Sequence, residues 1–458
     1  MDKIFGSPED AIADLTDGAS VAVTGFGTSY GFPVSLLVAT KEKEVKNLCL
    51  VSNGLGAVGQ LRSMMLIANN QVSRLIVSFS WRPGPRTPAD DQIEAGDVEV
   101  ELVPQGILVE RMRAGGAGIP AFYSPVGIGT SVADGKEVRY FDGKPFILEQ
   151  AINVDYAFVR GFRADKLGNV ELKGSNRNFT PAFAKAARVT IVEVDEIVEV
   201  GEIDPERVGL PGIFVNRVVK ATVDADEVRP ASRRPGNKPR EYNGKPGWTR
   251  DEMAQRIAAR LEEGTYVNLG VGMPTLVSNY IADRDIILHG ENGILGYGEM
   301  VDGDAIDKNI FNAAGQYVSI LPGAAFFDSV DAFEMARAGR LHTVVLGAYQ
   351  VDQDANIANY SLTDARRGGI GGAMDLIAGK QNLIVMMEHR DSKDRAKLVR
   401  TCEYPLTGSG CVDIIVTDLA ILRREDGAFV LEEVAEGFTP NEVIDLTDME
   451  VRVELPAG

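Results

Sequence analysis

With 458 residues, 45% of them hydrophobic and 25% charged, the chain has apolar material for two full cores and the composition of an ordinary globular protein. A net charge of −19 argues against nucleic acid as a partner, yet leaves anionic small substrates open, because a local basic pocket can outweigh the global field. No apolar run is long enough to span a membrane, the N-terminus has no signal-like apolar segment, and an odd count of scattered cysteines (Cys49, Cys402, Cys411) fits a reducing compartment, so a cytoplasmic protein is expected.

Along the chain, β-branched apolar runs alternate with helical patterns. The first half predicts strands at Val21–Val23, Cys49–Val51, Arg74–Val77, Val98–Leu102, Tyr156–Val159 and Val189–Val192. Residues 229–250 then hold four prolines and seven basic residues against one acidic residue, Glu241, which reads as an exposed linker. Thr249-Arg-Asp-Glu252 forms a capping box ahead of Met253, Ile257, Ala258 and Leu261 at helical spacing. The second half predicts strands at Tyr266–Leu269, Ile286–Leu288, Tyr317–Leu321, Thr343–Leu346, Asn382–Met386 and Val412–Thr417, with helical stretches such as 253–263 and 276–282. The expected organisation is one domain at 1–228, a linker at 229–246 and a second domain at 247–458. Both are expected to be open α/β domains with mainly parallel sheets, whose ligands bind beyond the carboxyl ends of the strands, in a cleft between the domains.

The two halves echo one another in order. Asp17-Gly-Ala-Ser-Val-Ala-Val-Thr-Gly25-Phe-Gly27 answers Glu263-Gly-Thr-Tyr-Val-Asn-Leu-Gly270-Val-Gly272, and a proline with an apolar helix follows each, from Pro33 and from Pro274. Leu50-Val-Ser-Asn53-Gly54 parallels Leu288 to Gly293, and Val103-Pro-Gln105-Gly106 parallels Leu321-Pro-Gly323. Asp165-Lys-Leu-Gly168-Asn169 parallels Asp352-Gln-Asp-Ala355-Asn356. Matches kept in order imply a tandem duplication.

Within that frame, Leu288-His-Gly-Glu291-Asn292-Gly-Ile-Leu-Gly296 sets one carboxylate on a strand-end turn among three glycines, where a ligand can approach closely. Glu291 can be a nucleophile, a base or a metal ligand there. A metal is not expected, because the three histidines, His289, His342 and His389, lack ligand spacing. The first copy has Ser52 instead, so only one half keeps the reactive group.

These stretches, with Tyr266-Val-Asn-Leu-Gly-Val-Gly-Met-Pro-Thr-Leu-Val277, resemble the B half of family I CoA-transferases, most nearly the succinyl-CoA:3-oxoacid type. Gly371-Gly372-Ala-Met-Asp375 and Pro405-Leu-Thr-Gly408 belong to the same likeness. Val103-Pro-Gln-Gly106, Arg111 to Tyr123, Gly127-Ile-Gly-Thr130 and Arg177-Asn-Phe179 resemble the A half. The likeness covers nearly the whole chain in the A-then-B order of the fused enzymes.

The resemblance implies that Glu291 is the covalent nucleophile of a ping-pong exchange through acyl-glutamyl anhydride and glutamyl-CoA thioester. It implies oxyanion donors in the Gln105 side-chain amide and the Gly372 N–H. Gly25, Gly27, Asn53, Gly270, Gly272, Asn292 and Gly371 are the expected substrate or CoA contacts, although tight strand–helix packing explains the glycine turns about as well. The expected substrates are an acyl-CoA and a carboxylic or 3-oxo acid, with coenzyme A as substrate and no cofactor. A homodimer or higher homo-oligomer is expected, with neither nucleic acid nor membrane as a partner. An acyl-CoA hydrolase on the same site and a non-catalytic acyl-CoA or sugar-phosphate sensor are the alternatives. The chain departs from the family at Gly290, where a serine is usual, and in the segments 80–86 and 362–367. The arginines there, Arg82, Arg86, Arg366 and Arg367, are candidates for gripping the substrate acid.

Overall fold

The computed structural model describes residues 2–27, 31–57, 59–80, 86–223, 238–362, 368–380 and 382–453. Every expected strand is present. In the first half, seven parallel strands lie in the order Glu99–Leu102, Val72–Phe79, Leu48–Gly54, Ser20–Val23, Val154–Asp165, Ala187–Val198, Arg217–Lys220. The chain winds outward from Ser20–Val23 and then restarts on its other side at Val154–Asp165. That reversal opens a crevice at the carboxyl ends of the two central strands.

The second sheet repeats the plan. Thr265–Leu269 lies between Ile286–Gly290 on one side and Thr343–Leu346, Asn382–Met386 and Ile414–Val416 on the other, all parallel. Beyond Ile286–Gly290 the chain departs from its first copy. Ile294–Met300 returns as a hairpin partner and Val318–Phe326 pairs antiparallel at the edge. Leu321-Pro322-Gly323 therefore sits inside an edge strand, where a proline is tolerated. Its expected counterpart, Val103 to Gly106, instead leads into the helix Gln105–Gly116, so this pairing does not occupy equivalent places.

Another correspondence holds to the hydrogen bond. Asp165 Oδ1 accepts from the N–H groups of Leu167 and Asn169, and Asp352 Oδ1 accepts from those of Asp354 and Asn356. Gly168 takes φ +85° in the first turn and Ala355 takes φ +62° in the second. The turn keeps its left-handed residue whether that residue is glycine or alanine.

Thr249 and Glu252 form the expected capping box on the helix Arg250–Arg260. Two expectations are corrected. Residues 273–280 form a 3-10 helix, Met273–Tyr280, with a proline in its first turn. Residues 238–246 are also no bare linker: Glu241–Tyr242 and Lys245–Pro246 pair across Asn243-Gly244, and Tyr242, only 4% exposed, donates to Asp418 Oδ2 at 2.8 Å. An aromatic ring buried in the second core outweighs the linker-like composition around it.

Each sheet has its own core, and a further core joins the halves. Phe26, Ile107, Val109 and Phe179 of the first pack with Phe311, Phe333, Ile370 and Met374 of the second. At about 1.5–3 kcal/mol per buried large side chain, this shared interior ties the halves into one body.

Candidate active site

Glu291 begins a three-residue turn between Ile286–Gly290 and Ile294–Met300, closed by Gly293 N–H donating to the Gly290 carbonyl at 3.0 Å. Gly293 adopts φ +98°, and a Cβ there would meet the Phe327 carbonyl at 2.1 Å, so the turn demands glycine. Ser329, at the head of the helix Ser329–Arg337, donates from Oγ to the Glu291 carbonyl at 3.0 Å, and its N–H donates to the Asn178 carbonyl of the first half.

The Glu291 side chain is 6% exposed and lines a cavity of about 370 Å³. Asn268 Nδ2 donates to Glu291 Oε2 at 3.1 Å and also lies 3.1 Å from the carbonyl and the Nδ1 of His289. Strand register makes this contact, since Asn268 stands opposite His289 in the parallel pair. His289 Nε2 faces the Ala332 carbonyl at 3.2 Å, so the tautomer protonated on Nε2 satisfies both ring nitrogens. Burial pushes the imidazole down to about 4, which keeps it neutral at physiological pH. Burial pushes the Glu291 carboxyl above the ordinary carboxylate range, opposed by backbone and Asn268 hydrogen bonds. Sequence reasoning missed Asn268. The only signal was an amide in an otherwise apolar strand.

The Gly371–Gly372 turn belongs to the same cavity wall, with Phe79 of the first half and Gly270 of the second. The end of the Val72–Phe79 strand docks on this segment: Ser80 N–H donates to the Gly368 carbonyl at 3.0 Å and Gly371 N–H to the Ser78 carbonyl at 3.3 Å. Gln105, 1% exposed, donates from its backbone N–H to the Gly371 carbonyl at 2.8 Å. Its Nε2 donates to Asn53 Oδ1 at 2.7 Å, and a Cβ built on Gly372 would lie 3.0 Å from its Oε1. Gln105, Asn53 and Gly372 thus meet across the junction of the halves, although they come from distant segments.

Other expected contacts lie elsewhere. Asn292 is fully buried, and its Nδ2 donates to the Phe311 carbonyl at 2.6 Å, which anchors the turn to the core. Gly25 and Gly27 are not among the cavity walls, and a Cβ on Gly25 would strike the Phe32 ring at 2.5 Å, the signature of tight packing. Gly272, at φ +100°, opens the 3-10 helix just outside the cavity lining. Arg86 does not reach the cavity: it pairs with Asp91 at 2.7 Å and Glu94 at 2.6 Å on its own exposed face. Arg82, Arg366 and Arg367 lie outside the described residues.

A second, larger cleft of about 1030 Å³ shares Tyr349, Glu388 and Lys397 with the Glu291 cavity. Its walls carry seven basic side chains, among them Arg240, Arg250, Lys393 and Arg395, against six acidic ones, in a chain whose overall charge is −19. Its basic residues are scattered between positions 238 and 397, which is why the sequence did not announce it. Among the described residues, no His, Cys, Asp or Glu cluster could hold a metal, and no helix is long and apolar enough to cross a membrane.

Comparison with known proteins agrees with this architecture. Human succinyl-CoA:3-ketoacid coenzyme A transferase 2, mitochondrial, is 39% identical over 467 residues, spanning 96% of this chain and 88% of that protein. One subunit of the probable succinyl-CoA:3-ketoacid coenzyme A transferase of Bacillus subtilis is 42% identical over 219 residues, covering 48% of this chain and 90% of its own length, so about half of this chain corresponds to a polypeptide that is separate there. The fold is shared with an acyl-CoA transferase of Escherichia coli O157:H7, solved as a thioester complex with CoA, at a TM-score of 0.81 and 21% identity over 100% of this chain and 95% of that one. The Coenzyme A transferase family model matches residues 5–221 and 250–446, and the chain belongs to that family, with its two halves fused in one polypeptide.

Proposed function

We propose that the protein exchanges CoA between an acyl-CoA, such as succinyl-CoA or acetyl-CoA, and a carboxylic or 3-oxo acid, in ping-pong order through a glutamyl-CoA thioester on Glu291. The observation that carries this reading is a buried carboxylate on the wall of the same cavity as the Gly371–Gly372 turn onto which Gln105 is docked. In this reading the A-type domain spans 1–228 and the B-type domain 247–458.

Glu291 attacks the thioester carbonyl of the donor, forming a tetrahedral oxyanion that collapses to an acyl-glutamyl anhydride and CoA thiolate. The thiolate then attacks the glutamyl carbonyl, which expels the donor acid as its carboxylate and leaves the enzyme thioester. An acceptor carboxylate reverses both steps. A carboxylate suits this work because anhydride and thioester exchange acyl groups readily, whereas a serine ester would be a thermodynamic sink. Each oxyanion needs donors already aimed at it. One N–H of the Gln105 amide is committed to Asn53, which leaves the second for the oxyanion. Gly372 stands at the head of the helix Ala373–Ala378, where the first N–H groups have no partner within the helix. Asn268 holds the Glu291 carboxylate in place by its hydrogen bond. The nucleotide phosphates of CoA fit the larger cleft, with the pantetheine arm passing Lys397 toward Glu291.

Exchange is tested by offering a panel of carboxylic acids with several acyl-CoA donors and following new acyl-CoA by mass spectrometry. Acceptor acyl-CoA should appear with parallel-line kinetics. Release of free CoA at one rate with or without an acceptor would assign a hydrolase instead, and binding without turnover would assign a sensor.

Because burial raises the Glu291 carboxyl and the nucleophile must be ionised, kcat/KM for acyl-CoA should fall on the acid side through a pKa above the ordinary 4.5. A pH profile that stays flat down to that value would remove Glu291 from the attacking step.

A further inference from the structure

Two motifs of the chain hold residues that the chemistry above leaves unused: the glycine after Gln105 and the aspartate three positions beyond Gly372. They touch. Gly106 N–H donates to Asp375 Oδ2 at 2.9 Å, across the junction of the halves and 269 residues apart in sequence. A Cβ on Gly106 would lie 2.2 Å from Asp375 Oδ1 and 2.7 Å from the Phe333 ring, so glycine is required for the carboxylate to come this close.

Asp375 is fully buried, and its second tie is to Arg337, whose Nη1 donates to Oδ1 at 3.4 Å. Arg337 Nη2 donates to Glu110 Oε2 at 3.3 Å, and Glu110 lies on the helix that Gln105 opens. Three helices are thereby joined at their buried faces: Gln105–Gly116 from the first half, Ser329–Arg337 and Ala373–Ala378 from the second. The first carries Gln105 at its head, the second is tied to the Glu291 backbone through Ser329, and the third begins beside Gly372. Burying a carboxylate carries a desolvation cost that its pairing need not repay, so this arrangement is expensive to keep for packing alone.

We propose that Asp375, braced by Arg337, is a positioning residue that locks the head of the Gln105 helix onto the Gly371–Gly372 turn, so that donors contributed by separate halves keep one fixed geometry toward Glu291. The proposal rests on the reading of Gln105 and Gly372 as oxyanion donors. A small displacement of either donor weakens stabilisation of the transition state more than it weakens binding of the substrate, which is held mainly by its CoA portion.

The experiment compares wild type with Asp375→Ala, Asp375→Asn and Arg337→Gln in the full chain, recording kcat, KM for acyl-CoA, melting temperature, and deuterium uptake of the peptide containing Gly106. Asp375→Ala should lower kcat about 10- to 100-fold with KM within about twofold, and should speed uptake at the head of the Gln105 helix. Asp375→Asn keeps an oxygen that can accept from Gly106 N–H and should recover most of the lost kcat. Arg337→Gln should fall between the two. The proposal is overturned if uptake is unchanged, if melting temperature falls while kcat per folded molecule holds, or if the asparagine does no better than alanine. Should Asp375→Ala fail to fold, Asp375→Asn and Arg337→Gln still decide it, through uptake and the division between kcat and KM. Should wild type show no CoA exchange, the functional reading falls, and uptake alone decides whether Asp375 locks the helix.

Discussion

Replacing Glu291 with glutamine is expected to abolish CoA exchange and leave the fold intact. The amide is isosteric with the carboxylate, and its oxygen can still accept from Asn268 Nδ2, the contact seen at 3.1 Å. It also removes a charge that burial disfavours, so the melting temperature should hold or rise. What disappears is the proposed nucleophile. Loss of a covalent nucleophile ordinarily costs more than about three orders of magnitude, so a clean variant retaining more than about 1% of wild-type activity would sink the covalent mechanism. A chemical trap makes the same point from the other side. After incubation of wild type with an acyl-CoA, borohydride should reduce an enzyme thioester at Glu291 alone, and the glutamine variant should give no product.

The second large effect is expected at Gln105. Removing one oxyanion donor from a water-poor site typically costs about 10²-fold in kcat, or about 3 kcal/mol. Gln105→Ala should show this loss with little change in affinity for CoA. Stability will respond as well, because Asn53 Oδ1 loses a buried donor now at 2.7 Å, and an orphaned acceptor costs about 1–3 kcal/mol. The discriminating quantity is therefore kcat per folded molecule, measured with the melting temperature on the same preparation. A wild-type rate in a destabilised protein would make Gln105 a structural residue only.

Much of what depends on neighbours along the chain was legible in the sequence. Strand positions followed from short β-branched runs, because a strand buried on both faces must be apolar throughout. The capping box at Thr249 was legible since both partners lie within one turn. The duplicated Asp165 and Asp352 turns were legible for the same reason: the hydrogen bonds to Asp Oδ1 that the two turns share span four residues or fewer. Some local signals fall outside the alternation of strands and helices. Asp142-Gly143 and Asp426-Gly427 take positive φ at both residues and close hairpins that such alternation does not anticipate. Asn243-Gly244 does the same inside the stretch that composition marked as linker.

Assembly of the site, by contrast, was settled by packing in three dimensions. Whether the strand after Glu291 continues parallel or doubles back is a matter of sheet pairing, and doubling back is what lifts the carboxylate onto a hairpin turn. Asn268 reaches Glu291 from 23 residues away because two parallel strands pair in one register, and no motif records a register. Gly106 meets Asp375 because the two halves share a core that includes Phe333, Ile370 and Met374. Apolar burial is non-directional, so the sequence showed which residues would be inside but not which would touch. That choice belongs to the docking of the halves, where the fit of Phe79 and Ser80 against Gly368 to Gly371 sets the distances between groups that must act together.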